Sequence, residues 1–518
     1  MDSGEIILGL DSGTSVVKAV AFNLAGEQLD CASARNRYMR GKDGSAQQSM
    51  SQTWQDAATA IRQLAERVGN LADRVVAVAV TAQGDGTWLV GAGNQPVGDA
   101  WIWLDARAAP TVEQLAASPL ARTRFEATGT GLNTCQQSAQ MAHMDRFYPE
   151  LLDSSEVALH CKDWLYLNLT GVRATDPSEA SFTFGNFRHQ RYDDQVIDAL
   201  GLTHRRHLLP EIVDGSRVTH PLTAQAAALT GLRAGTPVSL GYVDMAMTAL
   251  GAGVHTGEAN TACSIVGSTG VHLRAVPSDE VWLNPAQTGY VIPLPWPGYV
   301  TQVQTNMAST LNLDWLLNLA SDLLGSFGCD VDHARLVQQI DRWLSAASAG
   351  ELLYHPYISE AGERGPFVNA EARASFIGLS YHHDFGDMVR AVIEGIGLAA
   401  RDCYLAMGRT LPGELRLTGG AIRSPQLRQI LSACTGIPVR CSRREEAGAA
   451  GAAMMAAVAI GAYPSMAECV RTWVTPLLET AEVPPPALTA RYQQLFDSYK
   501  QIRSELPPVW HALKQAVN

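Results

Sequence analysis

The stretch that decides the fold is IILGLDSGTSVVKAVAF, residues 6–22. Its two apolar ends are too short for helices and flank a polar turn, so they predict a β-hairpin. Gly13 allows the backbone to turn tightly, and Thr14 and Ser15 offer hydroxyl and amide donors suited to phosphate groups. Asp11 follows the first apolar run, where a carboxylate can hold hydrated Mg²⁺. The hairpin therefore predicts ATP and Mg²⁺ as ligands, although an ordinary hairpin turn without a ligand also fits.

Length and composition predict a compact protein of two domains. The 518 residues exceed what one hydrophobic core usually organises. A hydrophobic fraction of 46% and a charged fraction of 17% are typical of globular proteins. The net charge of −12 argues against nucleic acid and anionic membranes as partners, since both need a basic surface. A homo-oligomer stays open, because symmetric assembly is common.

The cysteine pattern and the start of the chain favour a cytoplasmic location. Nine cysteines are widely scattered without a C-x-x-C pair, which is typical of reduced thiols. The amino terminus lacks the positively charged region of a signal peptide. The stretch from Ala447 to Ala462 is Ala-rich, short and broken by glycines, so it predicts a buried helix and not a membrane span.

Strand and helix patterns alternate along the chain, which indicates an α/β fold. In the first half, a helical pattern from Gln52 to Val68 precedes a buried strand from Val75 to Thr81. In the second half, a strand from Leu415 to Thr418 leads through a Gly-Gly turn into a helical pattern over residues 424–434. The repeated arrangement suggests that one architecture occurs twice.

We therefore expect two domains, residues 1–253 and residues 254–518. The boundary follows a helix of small residues that begins at Asp244 and could act as a hinge. The second domain should end in a helical tail, because Leu488 to Ile502 has a helical pattern.

Residues 374–394, ASFIGLSYHHDFGDMVRAVIE, resemble the carboxy-terminal signature of the FGGY carbohydrate kinases. The opening hairpin, Gly241–Asp244, Gly267–Gly270 and Leu417–Ala421 then stand in that family's order. The resemblance covers nearly the whole chain. It implies an α/β fold of two actin-like (ribonuclease H-like) domains with a central cleft for ATP and substrate.

Asp244 is the main catalytic candidate. It ends the apolar run from Val238 to Val243 and starts a helix, which puts a carboxylate at the edge of the predicted sheet. Such an Asp also fits a simple helix cap. The family places its general base at the matching position, so the resemblance implies that Asp244 accepts the proton of the attacking hydroxyl.

The resemblance also implies a set of ATP-binding residues. The phosphate-binding positions are Thr14, Ser15, Lys18, Gly267 and Ser268. Asp11 would organise Mg²⁺ through water. Lys18 stands where related glycerol kinases often have Arg, and a solvated lysine at a strand end is its alternative. 

Gly419, Gly420 and Ala421 resemble the adenosine-binding turn of the family. Missing side chains would let the nucleotide approach the backbone there. An ordinary turn between a strand and a helix is the alternative.

The acceptor site is predicted from TAQGDGTW, residues 81–88, together with Trp103 and with Asp244, which would also bind the substrate. Glycerol kinases carry Arg-Glu where this chain has Gly84-Asp85, so the change should create room while Asp85 keeps an acceptor for vicinal hydroxyls. Gln83, in the same segment, is also predicted to bind the substrate. Trp103 matches an aromatic wall for the carbon face of a polyol, although core packing beside Trp101 on one strand face fits as well.

Residues 81–91 and 174–188 resemble the erythritol-phosphorylating members of the family. We therefore expect an ATP-dependent polyol kinase that phosphorylates a primary hydroxyl of erythritol. Two alternatives stay open. One is a kinase for xylitol, xylulose, ribulose or glycerol, and the other is a nucleotide-dependent sugar-binding module without catalysis.

Overall fold

The computed structural model describes residues 4–258, 260–420 and 424–517. The strands of the first half are β1 (Ile6–Ser12), β2 (Val16–Asn23), β3 (Gln28–Arg35), β4 (Met39–Arg40), β5 (Ala46–Gln48), β6 (Val75–Ala82), β7 (Trp88–Val90), β8 (Ala100–Trp101), β9 (Val157–Leu159), β10 (Ala174–Thr175), β11 (Gly185–Asn186), β12 (Arg191–Tyr192), β13 (Glu211–Ile212), β14 (Thr219–Pro221) and β15 (Pro237–Leu240). The helices of this half are α1 (Met50–Arg67), α2 (Leu71–Arg74), α3 (Ala109–Ala116), α4 (Ala121–Thr128), α5 (Gln137–Phe147), α6 (Pro149–Asp153), α7 (Cys161–Thr170), α8 (Pro177–Thr183), α9 (Asp194–Ala199), α10 (Ala224–Thr230) and α11 (Asp244–Ala252).

The second half has fewer strands and longer helices. Its strands are β16 (Thr261–Val266), β17 (Gly270–Pro277), β18 (Tyr290–Pro293), β19 (Tyr299–Asn306), β20 (Leu353–His355), β21 (Ser375–Ile377), β22 (Glu414–Thr418) and β23 (Val439–Cys441). Its helices are α12 (Thr310–Ser326), α13 (His333–Val337), α14 (Ile340–Ala346), α15 (Phe385–Ala406), α16 (Pro425–Thr435), α17 (Ala447–Ala459), α18 (Met466–Trp473) and α19 (Pro486–Val517).

Each half is built on a six-stranded mixed sheet. The strand order is β14-β15-β6-β1-β2-β3 in the first sheet and β18-β19-β17-β16-β22-β23 in the second. In both, an antiparallel hairpin (β1–β2 or β16–β17) is joined by a parallel strand from farther along the chain (β6 or β22). The expectation that one architecture occurs twice is confirmed.

The central strands of the first sheet are buried on both faces. The residues of β1 are almost all inaccessible to solvent, as expected for an apolar run with helices on both sides. Helix α17 covers one face at close range, because a Cβ on Gly9 would lie 2.5 Å from the carbonyl oxygen of Ala449. The Ala-rich stretch is thus a buried helix, as the sequence predicts. No described helix is both long and apolar enough to cross a membrane.

Helices α11 and α17 connect the two halves through glycines. A Cβ on Gly251 would lie 2.1 Å from the carbonyl oxygen of Ala447, and a Cβ on Gly451 would lie 2.1 Å from that of Met247. Their backbones therefore touch without side chains between them. One hydrophobic cluster includes Ile7 and Ala79 of the first sheet together with α11, α17 and α18.

The helical tail is longer than the sequence pattern indicates. It runs from Pro486 to Val517, and Tyr492 and Tyr499 on it are fully buried. The Tyr499 hydroxyl lies 2.8 Å from the hydroxyl of Tyr357. The tail therefore packs against the second half.

Candidate active site

Parallel strand ends bring the first group of candidate residues to one edge of the first sheet. Strand β6 is parallel to both β1 and β15, with Asp11 opposite Thr81 and Leu240 opposite Val80. The Thr81 hydroxyl donates a 2.7 Å hydrogen bond to the carbonyl of Tyr242. This bond fixes the segment that leads into Asp244, so Asp11 and Asp244 lie at the same edge.

Asp244 is the first residue of α11, and Val243 takes the capping position before it. One carboxylate oxygen accepts a 2.7 Å hydrogen bond from the backbone N–H of Met245, and no other described residue donates to it. Burial raises the pKa of Asp244 to about 8, and the negative charge of Asp11 adds to the shift. A half-buried carboxylate with free acceptor capacity and a raised pKa is suited to accept a proton.

Asp11 has the features of a site for a divalent cation. A Cβ on Gly448 would lie 2.4 Å from its Oδ2, so α17 approaches this carboxylate with bare backbone. Burial raises the pKa of Asp11 to about 6, while the positive charge of Lys18 lowers it and the negative charge of Glu446 raises it. Carboxylate oxygens are preferred ligands of Mg²⁺, so the chemistry of this position fits the cation.

The hairpin tip offers backbone donors. No described residue accepts a hydrogen bond from the backbone N–H of Thr14 or of Ser15. The Thr14 hydroxyl has other partners, since it donates to Gln83 Oε1 at 2.9 Å and accepts from Trp103 Nε1 at 2.8 Å. The donors available to a phosphate are therefore the two N–H groups, and the Thr14 side chain connects the hairpin to Gln83 and Trp103.

Lys18 contacts the other half of the chain. Its Nζ lies 2.8 Å from Glu446 Oε2, just before α17 begins. The Lys18 side chain is 39% exposed, so this ion pair is partly screened by solvent. Lys18 is therefore not simply a solvated lysine at a strand end.

The second group of candidate residues lies at one edge of the second sheet. Strands β16 and β22 are parallel, with Ile265 opposite Thr418, so the turns after them are neighbours. Gly419 has φ +105°, and a Cβ there would lie 2.4 Å from the carbonyl oxygen of Val266. Gly420 is exposed and has open space where a Cβ would stand. Ala421 lies outside the described residues.

Gly267 and Ser268 form the turn between β16 and β17. Their carbonyls accept hydrogen bonds from the backbone N–H groups of Thr310 and Ser309, at 3.0 and 2.8 Å. No described residue accepts from the Ser268 N–H. The turn is thus fixed by the start of α12 and keeps one donor exposed.

Asp85, in the predicted acceptor segment of residues 81–88, is buried and held by hydrogen bonds. It is 7% exposed, and its Oδ2 accepts from the Tyr290 hydroxyl at 3.1 Å and from the Cys135 thiol at 3.2 Å. Its Oδ1 is buried without a hydrogen-bond partner among the described residues. Burial, and then the charge of Glu179, raise the pKa of Asp85 to about 6. An unsatisfied buried carboxylate oxygen is costly, which suits a ligand-binding position.

The surroundings of Gly84 and Trp103 differ from the sequence expectation. Gly84 does not create room, because a Cβ there would lie 2.4 Å from Val243 Cγ2 and 3.1 Å from Glu179 Oε1. Trp101 and Trp103 do not share a strand face, because β8 ends at Trp101 and Trp103 lies in the following turn. Trp101 is core, with the Arg107 guanidinium 3.4 Å from its ring centroid, whereas Trp103 is half-buried.

The sequence did not point to several residues that hold Asp85. Tyr290 and Cys135 come from distant parts of the chain and have no local motif. Glu179 lies in the Asp176–Ser181 segment, which has the appearance of a helix cap; Asp176 does cap α8, but Glu179 Oε1 also accepts the Asp85 N–H at 2.9 Å.

Within the part of the chain that the structure describes, two clusters have the composition of metal sites, and the chemistry of each disfavours a metal. Lys162 Nζ already lies 2.8 Å from Asp163 in the buried cluster of His160, Asp163 and Glu179. Despite burial, the carboxylates raise the pKa of His160 to about 9, so it is protonated at neutral pH.

The other cluster contains Glu351, His382 and His383. The Nδ1 of His383 accepts the Ser380 N–H at 3.0 Å, so the Nε2 of neutral His383 carries the proton and cannot bind a metal.

Family models match both halves of the chain. Residues 6–251 match the N-terminal domain of the FGGY family of carbohydrate kinases, and residues 262–460 match its C-terminal domain. This protein belongs to the FGGY family of carbohydrate kinases. The family resemblance expected from the sequence is confirmed.

Individual relatives agree with this assignment. The chain is 64% identical over 512 residues to the erythritol kinase of Brucella abortus (strain 2308), covering 99% of this chain and 98% of that protein. It is 28% identical over 513 residues to the xylulose kinase of Escherichia coli (strain K12), covering 97% and 99%. 

The solved gluconate kinase from Lactobacillus acidophilus matches with a TM-score of 0.88 at 22% identity, covering 98% of this chain and 99% of that one. The expected fold of two actin-like α/β domains is confirmed.

Proposed function

We propose that this protein is an ATP-dependent kinase that phosphorylates a primary hydroxyl of erythritol. The observation that carries the proposal is the 64% identity, over nearly the full length of both chains, to the erythritol kinase of Brucella abortus. The family is one of carbohydrate kinases, so a small polyol and ATP are the expected substrates.

Asp244 acts as the general base in this proposal. As the substrate oxygen attacks the γ-phosphorus of ATP, the hydroxyl proton passes to the Asp244 carboxylate. A bond forms between that oxygen and the γ-phosphorus, the bond from the γ-phosphorus to the bridging oxygen breaks, and ADP leaves. The raised pKa of Asp244 supports the assignment, because a carboxylate with a pKa of about 8 holds a proton better than an ordinary one.

The phosphates of ATP are held by donors from both halves. We assign this binding to the N–H groups of Thr14 and Ser15 on one side and to the Gly267–Ser268 turn on the other, with Lys18 adding positive charge. Asp11 would hold a hydrated Mg²⁺, which supplies positive charge to the phosphate oxygens when it is bound.

The adenosine would lie against the turn of Gly419 and Gly420, and Ala421, the next residue of the sequence, belongs to the same proposal. Support comes from the open space beside Gly420 and from the position of this turn next to the Gly267 turn on neighbouring parallel strands. Bare backbone there lets a flat base approach closely.

Asp85 and Trp103 would bind the acceptor, and Gln83 would position Trp103 through the Thr14 hydroxyl between them. The unsatisfied Oδ1 of Asp85 can accept a hydrogen bond from a polyol hydroxyl, and the Trp103 ring offers an apolar wall for the carbon chain. Gln83 positions the hairpin through its hydrogen bond with Thr14.

We further propose that the halves behave as two domains, residues 1–253 and 254–518, which close over the substrates and exclude water. Helices α11 and α17 would form the hinge. A cytoplasmic location is part of the proposal, because the nine cysteines, all within described residues, form no disulfide and ATP is the donor.

The test is ADP release by the purified protein with Mg-ATP and a panel of erythritol, xylitol, glycerol, xylulose and ribulose. We expect selective turnover of erythritol, with a phosphomonoester product visible by ³¹P NMR. In the same assay Asp244→Asn, which removes the proposed base, should lose turnover. Asp279→Asn is its matched control, because Asp279 is an exposed carboxylate on a surface turn, and it should leave turnover unchanged. Preference for another acceptor would refute the assignment of erythritol, and ATP binding without any product would refute the kinase activity.

A further inference from the structure

Arg364 brings a positive charge from the second half of the chain to the acceptor site. It lies between β20 and β21, and its Nε donates a 2.9 Å hydrogen bond to the Thr305 hydroxyl. Its Nη1 lies 4.0 Å from the Cys135 thiol, and its guanidinium lies 6.0 Å from the centroid of the Trp103 ring. Both of these neighbours belong to the first half.

The backbone around Arg364 is firmly held. Glu363 Oε1 accepts the N–H groups of Met307 and Arg364, both at 2.9 Å, and Asn306 Nδ2 donates to the carbonyl of Gly365 at 2.8 Å. The Arg364 side chain therefore extends from a backbone that is held in place, which favours specific recognition of a ligand.

Arg364 and Asp85 interact electrostatically without forming an ion pair. Each charge favours the charged form of the other, yet no nitrogen of Arg364 comes within 4.0 Å of an Asp85 oxygen. The Cys135 thiol lies between them, 3.2 Å from Asp85 Oδ2. Asp85 Oδ1 lacks a donor, and no described residue accepts from Arg364 Nη2. An acceptor and a donor are thus both left for a ligand.

We propose that Arg364 and Asp85 together bind a hydroxyl of the polyol other than the one that is phosphorylated, so that Arg364 is a specificity-determining residue. A hydroxyl fits this pair, because it can donate to the carboxylate and accept from the guanidinium at the same time. The inference rests on the proposed polyol kinase function.

In this arrangement Arg364 provides a guanidinium to the acceptor pocket, although Gly84 stands where glycerol kinases carry Arg. A side chain at Gly84 would meet Val243 at 2.4 Å, so the strand end itself cannot supply the donors. Arg364 supplies them from the opposite side, with a planar group that stays charged. Because Arg364 and Asp85 belong to different halves, a hydroxyl bound by both also favours the closed arrangement.

The test pairs Arg364→Gln with two polyols that each lack one hydroxyl of erythritol, butane-1,2,3-triol and butane-1,2,4-triol. The wild-type protein should turn over at least one of them with kcat/KM about 10- to 100-fold below erythritol, as expected for loss of a hydrogen bond to a charged group. In Arg364→Gln, kcat/KM for erythritol should fall by a similar factor, mainly through a higher KM. For the triol on which the wild-type protein shows this loss, the variant and the wild type should have nearly the same kcat/KM.

The controls separate binding from folding. Arg342→Gln removes an exposed arginine of the same half and should leave all three substrates unchanged. An unchanged KM for ATP and an unchanged melting temperature would show that Arg364→Gln is folded. If it does not fold, Arg364→Lys replaces it, with a smaller loss that is again confined to erythritol.

Two results would overturn the proposal. One is an equal loss on erythritol and on both analogues in the Arg364 variant, which indicates a structural effect. The other is no loss on any of them. Absence of erythritol turnover by the wild-type protein is a different result, because it refutes the proposed function itself.

Discussion

The proposed acceptor site of the first half and the proposed nucleotide site of the second half are built differently. Around Asp85, side chains are buried and their oxygen and sulfur atoms lie at hydrogen-bond distance. Around Gly267 and Gly419, the available groups are backbone atoms of two turns at the ends of parallel strands. A polyol must be distinguished from similar polyols by the positions of its hydroxyls, whereas a nucleotide can be held by generic donors and a flat surface.

The largest effect should come from Asp244, the proposed general base, which would also contact the substrate hydroxyl. Asp244→Asn keeps the shape of the side chain but cannot take up the hydroxyl proton. We expect kcat to fall by about 10²- to 10⁴-fold, with smaller changes in the KM values for ATP and erythritol. Steady-state kinetics measures this split. A change in KM alone, with kcat preserved, would show that Asp244 only binds substrate.

Asp85→Asn should raise the KM for erythritol without raising the KM for ATP. Loss of the charge weakens the hydrogen bond to a polyol hydroxyl, so the KM for erythritol should rise about 10- to 100-fold. The KM for ATP should stay within about twofold, because no nucleotide contact is assigned to this residue. If both KM values rise together, the two sites are not separate.

Gly420→Val tests the nucleotide side in the same way. A Cβ at Gly420 meets no atom of the described residues within 4 Å, so the fold should tolerate the substitution, and a bulky side chain should obstruct the adenosine. We expect the KM for ATP to rise about 10-fold, equivalent to about 1.4 kcal/mol of binding free energy. The melting temperature and the KM for erythritol should stay constant.

Gly69→Val is the matched control for this variant. Gly69 also has open space around its Cβ position, but it lies after α1, away from both turns. An equal rise in the KM for ATP in the two variants would contradict the adenosine assignment.

The smallest effect concerns stability and its dependence on pH. In the unliganded protein Asp244 titrates near pH 8, against 3.8 for an unperturbed Asp, so between these values the unfolded chain releases a proton that the folded protein retains. Stability therefore falls as pH rises through this range. Asp244→Asn has no such proton to retain. The difference in melting temperature, variant minus wild type, should therefore become more positive from pH 4 to pH 8 and stay constant above pH 8.

Thermal melts of both proteins across that pH range measure the difference. A constant offset between the two would show that the folded pKa of Asp244 is not raised. Relative to the wild type, Asp244→Asn therefore gains stability as pH rises towards 8.

The sequence predicted the parts of the structure that depend on local patterns. The hairpin around Gly13, the strand that ends before Gln83 and the helix that starts at Asp244 follow from apolar runs and their breaks. The family assignment followed from motifs of the same local kind. The assigned roles of the individual residues stay predictions until they are measured.

The sequence could not predict the contacts made when the halves pack together. Tyr290 and Asp85 are 205 residues apart, and their hydrogen bond depends on the relative position of the two sheets. Arg364 likewise lies in a segment without a recognisable motif. The room expected at Gly84 was wrong for the same reason, because the neighbouring Val243 occupies that space in three dimensions.

The glycine contact between α11 and α17 has a consequence for the chemistry of the site. Adding one methyl group at Gly251 or Gly451 would push the two helices apart, because each Cβ would stand 2.1 Å from a carbonyl oxygen. Since Asp244 starts one helix and Gly448 of the other touches Asp11, the distance between the two acidic groups would change as well. The spacing of the proposed general base and the proposed Mg²⁺ ligand thus depends on two glycines, which have no side chain.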